Sequence, residues 1–245
     1  MSRFQSASTL TRRLAVGLLC GLAGSACLAQ PAPAASADAP NFSAAERLLF
    51  MTHNLDDLPL PTTLRYTFQK SGTLEEGFED KVVLRVGARA DGKCCGASTE
   101  FLGGSRRLTM PDIDGAEGNP VVLYFLEREV REMQRLTKGA QNYFRKRIRM
   151  AIFNTGTVRE VALSYAGKTV RGKEIVITPF TDDPNRPRYE KLALKEYRFW
   201  LSEQVPGGVF GIRGRIAGEA VGTAPLLVET VFIEGARPPD AEPPR

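Results

Sequence analysis

The sequence predicts an α+β fold: a curled, mostly antiparallel sheet of about eight strands wrapped around one long amphipathic helix. Three observations lead there. Short segments with apolar residues at every second position lie on both sides of the middle of the chain. A single stretch in the middle switches to helical spacing. Turn-forming residues separate the alternating segments closely enough for hairpins.

The elements follow in order. Ser43 with Glu46 has the spacing of a capping box and opens a short helix to about His53. Pro59 and Pro61 stop helical structure, and alternation begins. Leu64, Tyr66 and Phe68 share one face of a strand, and Val82, Leu84 and Val86 repeat the pattern. A third strand is expected near Ser98–Leu102. Asn119 then caps a helix with Pro120 in its first turn.

From Val121 to Phe153, the residues Val122, Leu126, Val130, Met133, Leu136, Ala140, Phe144, Ile148 and Ala151 fall in one arc. Arg128, Arg131, Arg135, Lys138, Arg145, Lys146 and Arg149 fall opposite. Unbroken, this helix runs to about 50 Å, with Gly139 as a point where it kinks or splits. Glu129 and Arg147 project toward the apolar arc, and each needs a polar partner if buried.

Strands resume at Val161, Leu163 and Tyr165, with Gly167-Lys168 turning into a strand that carries Ile175 and Ile177. Tyr197, Phe199 and Leu201 share one face of the next. Val205-Pro206-Gly207-Gly208 makes a turn to a strand with Phe210, Ile212 and Ile216, and Leu226–Glu234 is the last strand.

Outside this region the chain changes character. Residues 1–29 carry Arg3, Arg12 and Arg13, then an apolar run from Leu14 to Leu28, then small residues ending at Ala29. This is the pattern of a cleaved export signal, and its apolar run of about 15 residues is short of the roughly 20 that span a bilayer. Thr11-Arg12-Arg13 resembles a twin-arginine signal, but Ala15 and Val16 follow where larger hydrophobes are usual, so the ordinary Sec route is preferred. Gly24 before Cys27 and Gly17 before Cys20 do not fit a lipidation site. Residues 30–42 read as a flexible Ala/Pro-rich leader, 43–234 as a single folded domain, and 235–245 as a disordered tail. Removing 1–29 takes away three arginines and no acid, so the net charge falls from +5 to +2. The basicity that remains is concentrated on the central helix.

The order strand–helix–strand and the closing YRFWLSEQVPGGVFGIRGRI resemble periplasmic half-barrel proteins of the lipoprotein-carrier and sigma-factor-regulator type. The resemblance spans about residues 60–234 and is one of architecture. It implies an open half-barrel around helices, carries no residue-level motif, and assigns no site residue.

The chemistry-bearing residues point away from catalysis. There is one histidine, His53, and no GxSxG, SxxK or HExxH pattern. Cys94 and Cys95 are adjacent, which permits a vicinal disulfide, pairing between chains, or free thiols, and is not CxxC. Asp112-Ile113-Asp114-Gly115 lacks the remaining ligands of a calcium loop. GGVFGIRG has neither dinucleotide nor P-loop spacing. No enzyme activity, metal or cofactor is therefore expected.

The expected function is that of an exported periplasmic binding or chaperone-like protein for a hydrophobic ligand, such as a lipid or lipidated segment. Tyr66, Phe68, Tyr197 and Phe199 are the candidate ligand residues beside the helix, with plain core packing as the competing reading. The alternative is an envelope assembly factor that uses Arg128, Arg131, Arg135 and Arg145 to hold a protein or an anionic lipid. Nucleic acid is not an expected partner of an exported chain, and the oligomeric state stays open.

Overall fold

The computed structural model describes residues 42–239. The expected signal peptide, nearly all of the leader and residues 240–245 of the tail lie outside them. Ten strands form one antiparallel sheet: β1 (Thr62–Ser71), β2 (Phe78–Gly87), β3 (Gly96–Phe101), β4 (Ile113–Asp114), β5 (Thr157–Tyr165), β6 (Lys168–Ile177), β7 (Glu196–Leu201), β8 (Val209–Ile216), β9 (Leu227–Ile233) and β10 (Ala236–Arg237). Their spatial order is β10-β5-β6-β7-β8-β9-β1-β2-β3-β4, so the sheet is open. Four α-helices accompany it: α1 (Ala44–Phe50), α2 (Pro120–Thr137), α3 (Gln141–Asn154) and α4 (Arg186–Tyr189). The fold is α+β.

Two features of the expected architecture are corrected. The strand count among the described residues is ten, because β4 and β10 are two-residue strands too short to show a period of two. β10 also shortens the expected disordered tail, since Ala236 and Arg237 pair with Tyr165 and Ser164 of β5.

The second correction concerns the long helix, which is two helices. Lys138 takes the left-handed conformation (φ 59°), and its N–H donates to the Gln134 carbonyl to end α2. The Thr137 hydroxyl donates back to the Met133 carbonyl at 2.6 Å and accepts from the Gly139 N–H at 3.2 Å. A Cβ at Gly139 would lie 2.5 Å from the Phe144 ring, so glycine lets the first turn of α3 close over the break. α3 then folds back along α2, and Arg145 meets Glu127 at 2.9 Å. The apolar arc was continuous in sequence, but it is shared between two packed helices.

One face of the sheet is apolar because the strands are in register. Ile175, Phe199, Ile212, Val231 and Phe68 are successive partners across five strands, and all are fully buried. Burying each such side chain contributes about 1.5–3 kcal/mol before conformational entropy is subtracted. α2 covers this face, touching β2 and β3 on one side and β8 on the other. Its start is pinned by Asn119, whose side-chain amide oxygen accepts from the Val121 N–H at 3.0 Å. The Asn119 amide donates to the Tyr66 hydroxyl at 2.9 Å and to the Gly207 carbonyl at 2.8 Å. Gly207 is left-handed (φ 70°), and a Cβ there would strike Leu64, so the expected turn depends on glycine at this position.

Candidate functional site

The four aromatics expected to hold a ligand are core residues. Tyr66, Phe68, Tyr197 and Phe199 are each at most 2% exposed. Phe68 stacks on Phe78 at 5.4 Å and meets Phe101 edge-on at 6.2 Å, while Tyr197 meets Phe125 edge-on at 6.4 Å. Protein side chains occupy the space beside the helix that a ligand would need, and close packing is the physical reason.

The four arginines expected on a solvated face separate. Arg131, Arg135 and Arg145 are about half exposed and ion-paired, to Glu127, to Glu75 and Glu132, and to Glu127 respectively. Arg128 is buried. Its guanidinium lies 4.7 Å over the Phe68 ring and donates to Glu229 at 2.7 Å and to Glu129 at 3.2 Å. Lys195 completes a quartet, donating to Glu229 at 2.9 Å and pairing closely with Glu129. The two cations and two carboxylates balance, which is the condition for keeping four charges in an interior.

Local structure positions this quartet. Glu229 is in phase with Leu227 and Val231 on the inward face of β9, and Lys195 precedes Tyr197 by two residues. Gly214 of β8 lies between them in register with both Tyr197 and Glu229. A Cβ at Gly214 would come within 3.2 Å of the Lys195 side chain, so the glycine leaves a path for lysine to reach its carboxylates. Burial, and then the charge of Glu229, push the Glu129 carboxyl up to about 7 against the pull of Lys195 and Arg128. Burial also acts to raise Glu229, but Lys195 and Arg128 outweigh it and hold that carboxyl far below the usual range. Burial first, then Glu129, keep the Tyr197 phenol protonated well above its ordinary value.

The sequence signal for the quartet was Glu229 at an inward-facing position of an apolar strand and Lys195 in phase with Tyr197 two residues on. Only Glu129, together with Arg147, stood out by helical phase. Arg147 does find partners, Asp183 at 3.0 Å and the Pro179 carbonyl at 3.3 Å.

An open apolar surface lies on the helical layer. α1, α2 and α3 enclose an apolar groove of about 430 Å³. The Ser43 hydroxyl accepts from the Glu46 N–H at 3.1 Å and donates to the Ile152 carbonyl at 3.2 Å, which ties α1 to α3 along one wall. Phe50 and Met51, Leu123, Leu126 and Val130, and Ile148 and Ile152 line it. Leu123 is 43% exposed and Met51 40%. Arg145, Arg149, Glu46 and Glu127 stand among the lining residues. Glu46 is held by its cap and Glu127 by two arginines, whereas Arg149 has no ion pair among the described residues. A groove of this size and lining suits an aliphatic chain, with a cation beside it for an anionic head. Sequence reasoning placed Leu126, Val130 and Ile148 toward the sheet, and the hairpin of α2 and α3 turns them to each other.

The cysteine pair closes on itself as a disulfide between Cys94 and Cys95. Asp56 brings a carboxylate within 4.8 Å of both sulfurs, but bonded sulfurs are not thiolate ligands. His53 lies just beyond α1 and sits 3.3 Å from Asp56 at the surface. Among the described residues no helix is long and apolar enough to cross a membrane.

No family model matches the chain, and no curated protein matches it. Among solved structures, the lipoprotein LppX of Mycobacterium tuberculosis is similar over 74% of this chain and 90% of its own, at 7% identity and a TM-score of 0.29. This is a weak architectural resemblance, at the level the order of elements had indicated, and it carries no argument about what the chain binds.

Proposed function

We propose that the chain is an exported, non-enzymatic periplasmic binding protein for an anionic amphiphile, whose aliphatic chain lies in the groove between α1, α2 and α3. One observation carries the reading: a largely apolar groove of about 430 Å³ whose lining includes Arg149, which has no ion pair among the described residues. Its volume is in the range of small-molecule sites. The N-terminal export pattern supports the location. The site differs from the one the sequence suggested, because the helix–sheet space is filled.

Binding of a fluorescent long-chain fatty acid to the mature protein tests it. Leu123→Glu places a charge in the groove from a half-exposed position and should weaken binding at least about tenfold, equivalent to roughly 1.4 kcal/mol. Arg149→Glu should weaken the fatty acid but spare the matching alcohol. No saturable binding, or binding that neither variant weakens, would overturn the proposal. If the chain is instead an envelope assembly factor, the fatty acid should not bind.

A further inference from the structure

We infer that a second site, the cleft between the C-terminal half of α2 and the segment that follows β3, binds a multiply charged phosphate-type anion. This cleft of about 510 Å³ is separate from the apolar groove. α2 stands between them, with Leu123, Leu126 and Val130 toward the groove and Arg128, Arg131 and Arg135 toward the cleft.

The charges lining the cleft do not cancel. Lys70 and Arg135 are satisfied by Glu75 and Glu132, with Lys70 at 2.6 Å from Glu75 and Arg135 at 2.7 Å from both carboxylates. Burial acts to raise the Glu75 carboxyl, but the hydrogen bonds from Lys70 and Arg135 outweigh it and hold the group below its ordinary pKa, so it stays a carboxylate. Arg128 at the floor is committed to the interior carboxylates. What remains in the lining is Arg106, Arg107 and Arg131, with Glu76 the one carboxylate there that has no ion pair among the described residues. Arg106 and Arg107 have no ion pair among the described residues, and Arg106 is held 4.2 Å over the Phe78 ring. Arg131 has only a 3.4 Å contact with Glu127, a carboxylate that also serves Arg145.

Guanidinium forks from two separate elements therefore converge on one concave surface with positive charge to spare. Concavity focuses that field. Arginine forks match the several acceptor oxygens of a phosphate better than a single carboxylate. A phospholipid headgroup and a soluble phosphate compound share this chemistry.

Two probes distinguish the sources. Inorganic pyrophosphate is titrated calorimetrically into the mature protein at low salt, and sedimentation is measured with phosphatidylcholine vesicles with and without phosphatidic acid. Saturable pyrophosphate binding that falls at least about tenfold in R106Q/R107Q and in R131Q, and weakens with salt, supports the site with a soluble source. Sedimentation that needs phosphatidic acid and is lost in the same variants, without pyrophosphate binding, supports the site with a lipid source. Lys146→Gln, on the exposed side of α3, should change neither. The three target arginines are surface residues, and an unchanged circular dichroism melt shows that the variants fold. Binding of neither probe, or binding the variants do not reduce, overturns the inference. Leu123→Glu leaves the cleft intact, so failure of the groove and failure of the cleft read out separately.

Discussion

Arg128 Nη1 lies 2.7 Å from Glu229 Oε1, so helix α2 and strand β9 are joined by a charge pair inside the protein. The pair is held in the quartet by Lys195 and Glu129. Removing one member leaves an uncompensated buried charge. Glu229→Gln is therefore expected to destabilise the fold by about 3–5 kcal/mol. Replacing all four members by apolar residues of similar volume is expected to be neutral or stabilising by about 1–4 kcal/mol. Urea unfolding midpoints of the two variants check this, and equal losses in both would contradict it.

The quartet also sets a pH dependence. Glu129 is raised from 4.5 to about 7 in the fold, so between those values the folded chain keeps a proton that the unfolded chain releases. The stability this group contributes is complete at the lower pH and is lost as pH rises through about 7. Glu229 is shifted the other way, so its contribution is present above its unfolded pKa and is lost only as pH falls below the usual carboxylate range. Because the carboxyls share Lys195, they titrate as a pair. Unfolding midpoints should decline from about pH 5.5 to about pH 7.5 in the parent and decline less in Glu129→Gln.

The break between α2 and α3 offers a gain. Lys138 holds a left-handed conformation that suits glycine, and no ion pair or side-chain hydrogen bond of Lys138 is found among the described residues. Lys138→Gly should stabilise by up to about 1 kcal/mol, seen as a higher thermal midpoint. A lower midpoint would mean that the side chain matters in a way the cap geometry does not reveal.

Asn119 does three things at once, capping α2 and donating to both Tyr66 and Gly207. Asn119→Ala should destabilise by about 2–3 kcal/mol, more than a cap alone. Asn119→Asp keeps the cap acceptor but sets a buried carboxylate against the Gly207 carbonyl, so its loss should be at least as large as that of Asn119→Ala. Denaturant midpoints of the pair check this.

The sheet was legible where one face was apolar and the other polar. Tyr66 and Phe68, Val82 and Leu84, and Phe199 and Ile212 all lie on the buried face that their alternation implied. The helix hairpin was legible only as Gly139, because helical phase runs on through a break of a few residues while the chain direction reverses. The interior charges were harder to see. Lys195 and Glu229 read as polar interruptions of strands, and only register across β7, β8 and β9 shows that they meet. The groove could not be read at all, since it is made by α1 packing on α3, a contact between residues such as Ser43 and Ile152 that are 109 positions apart.

The two-residue strands at the sheet margins have a consequence for association. β10 covers only Tyr165 and Ser164 of β5, and among the described residues Thr157–Leu163 has no strand partner on that side. That stretch of main chain can template another strand. It is defended by side-chain chemistry rather than by topology, with Arg159 and Glu160 near its middle. Such a guard is electrostatic and weakens as ions screen it. Addition of a foreign strand at this edge is therefore expected to become easier as ionic strength rises.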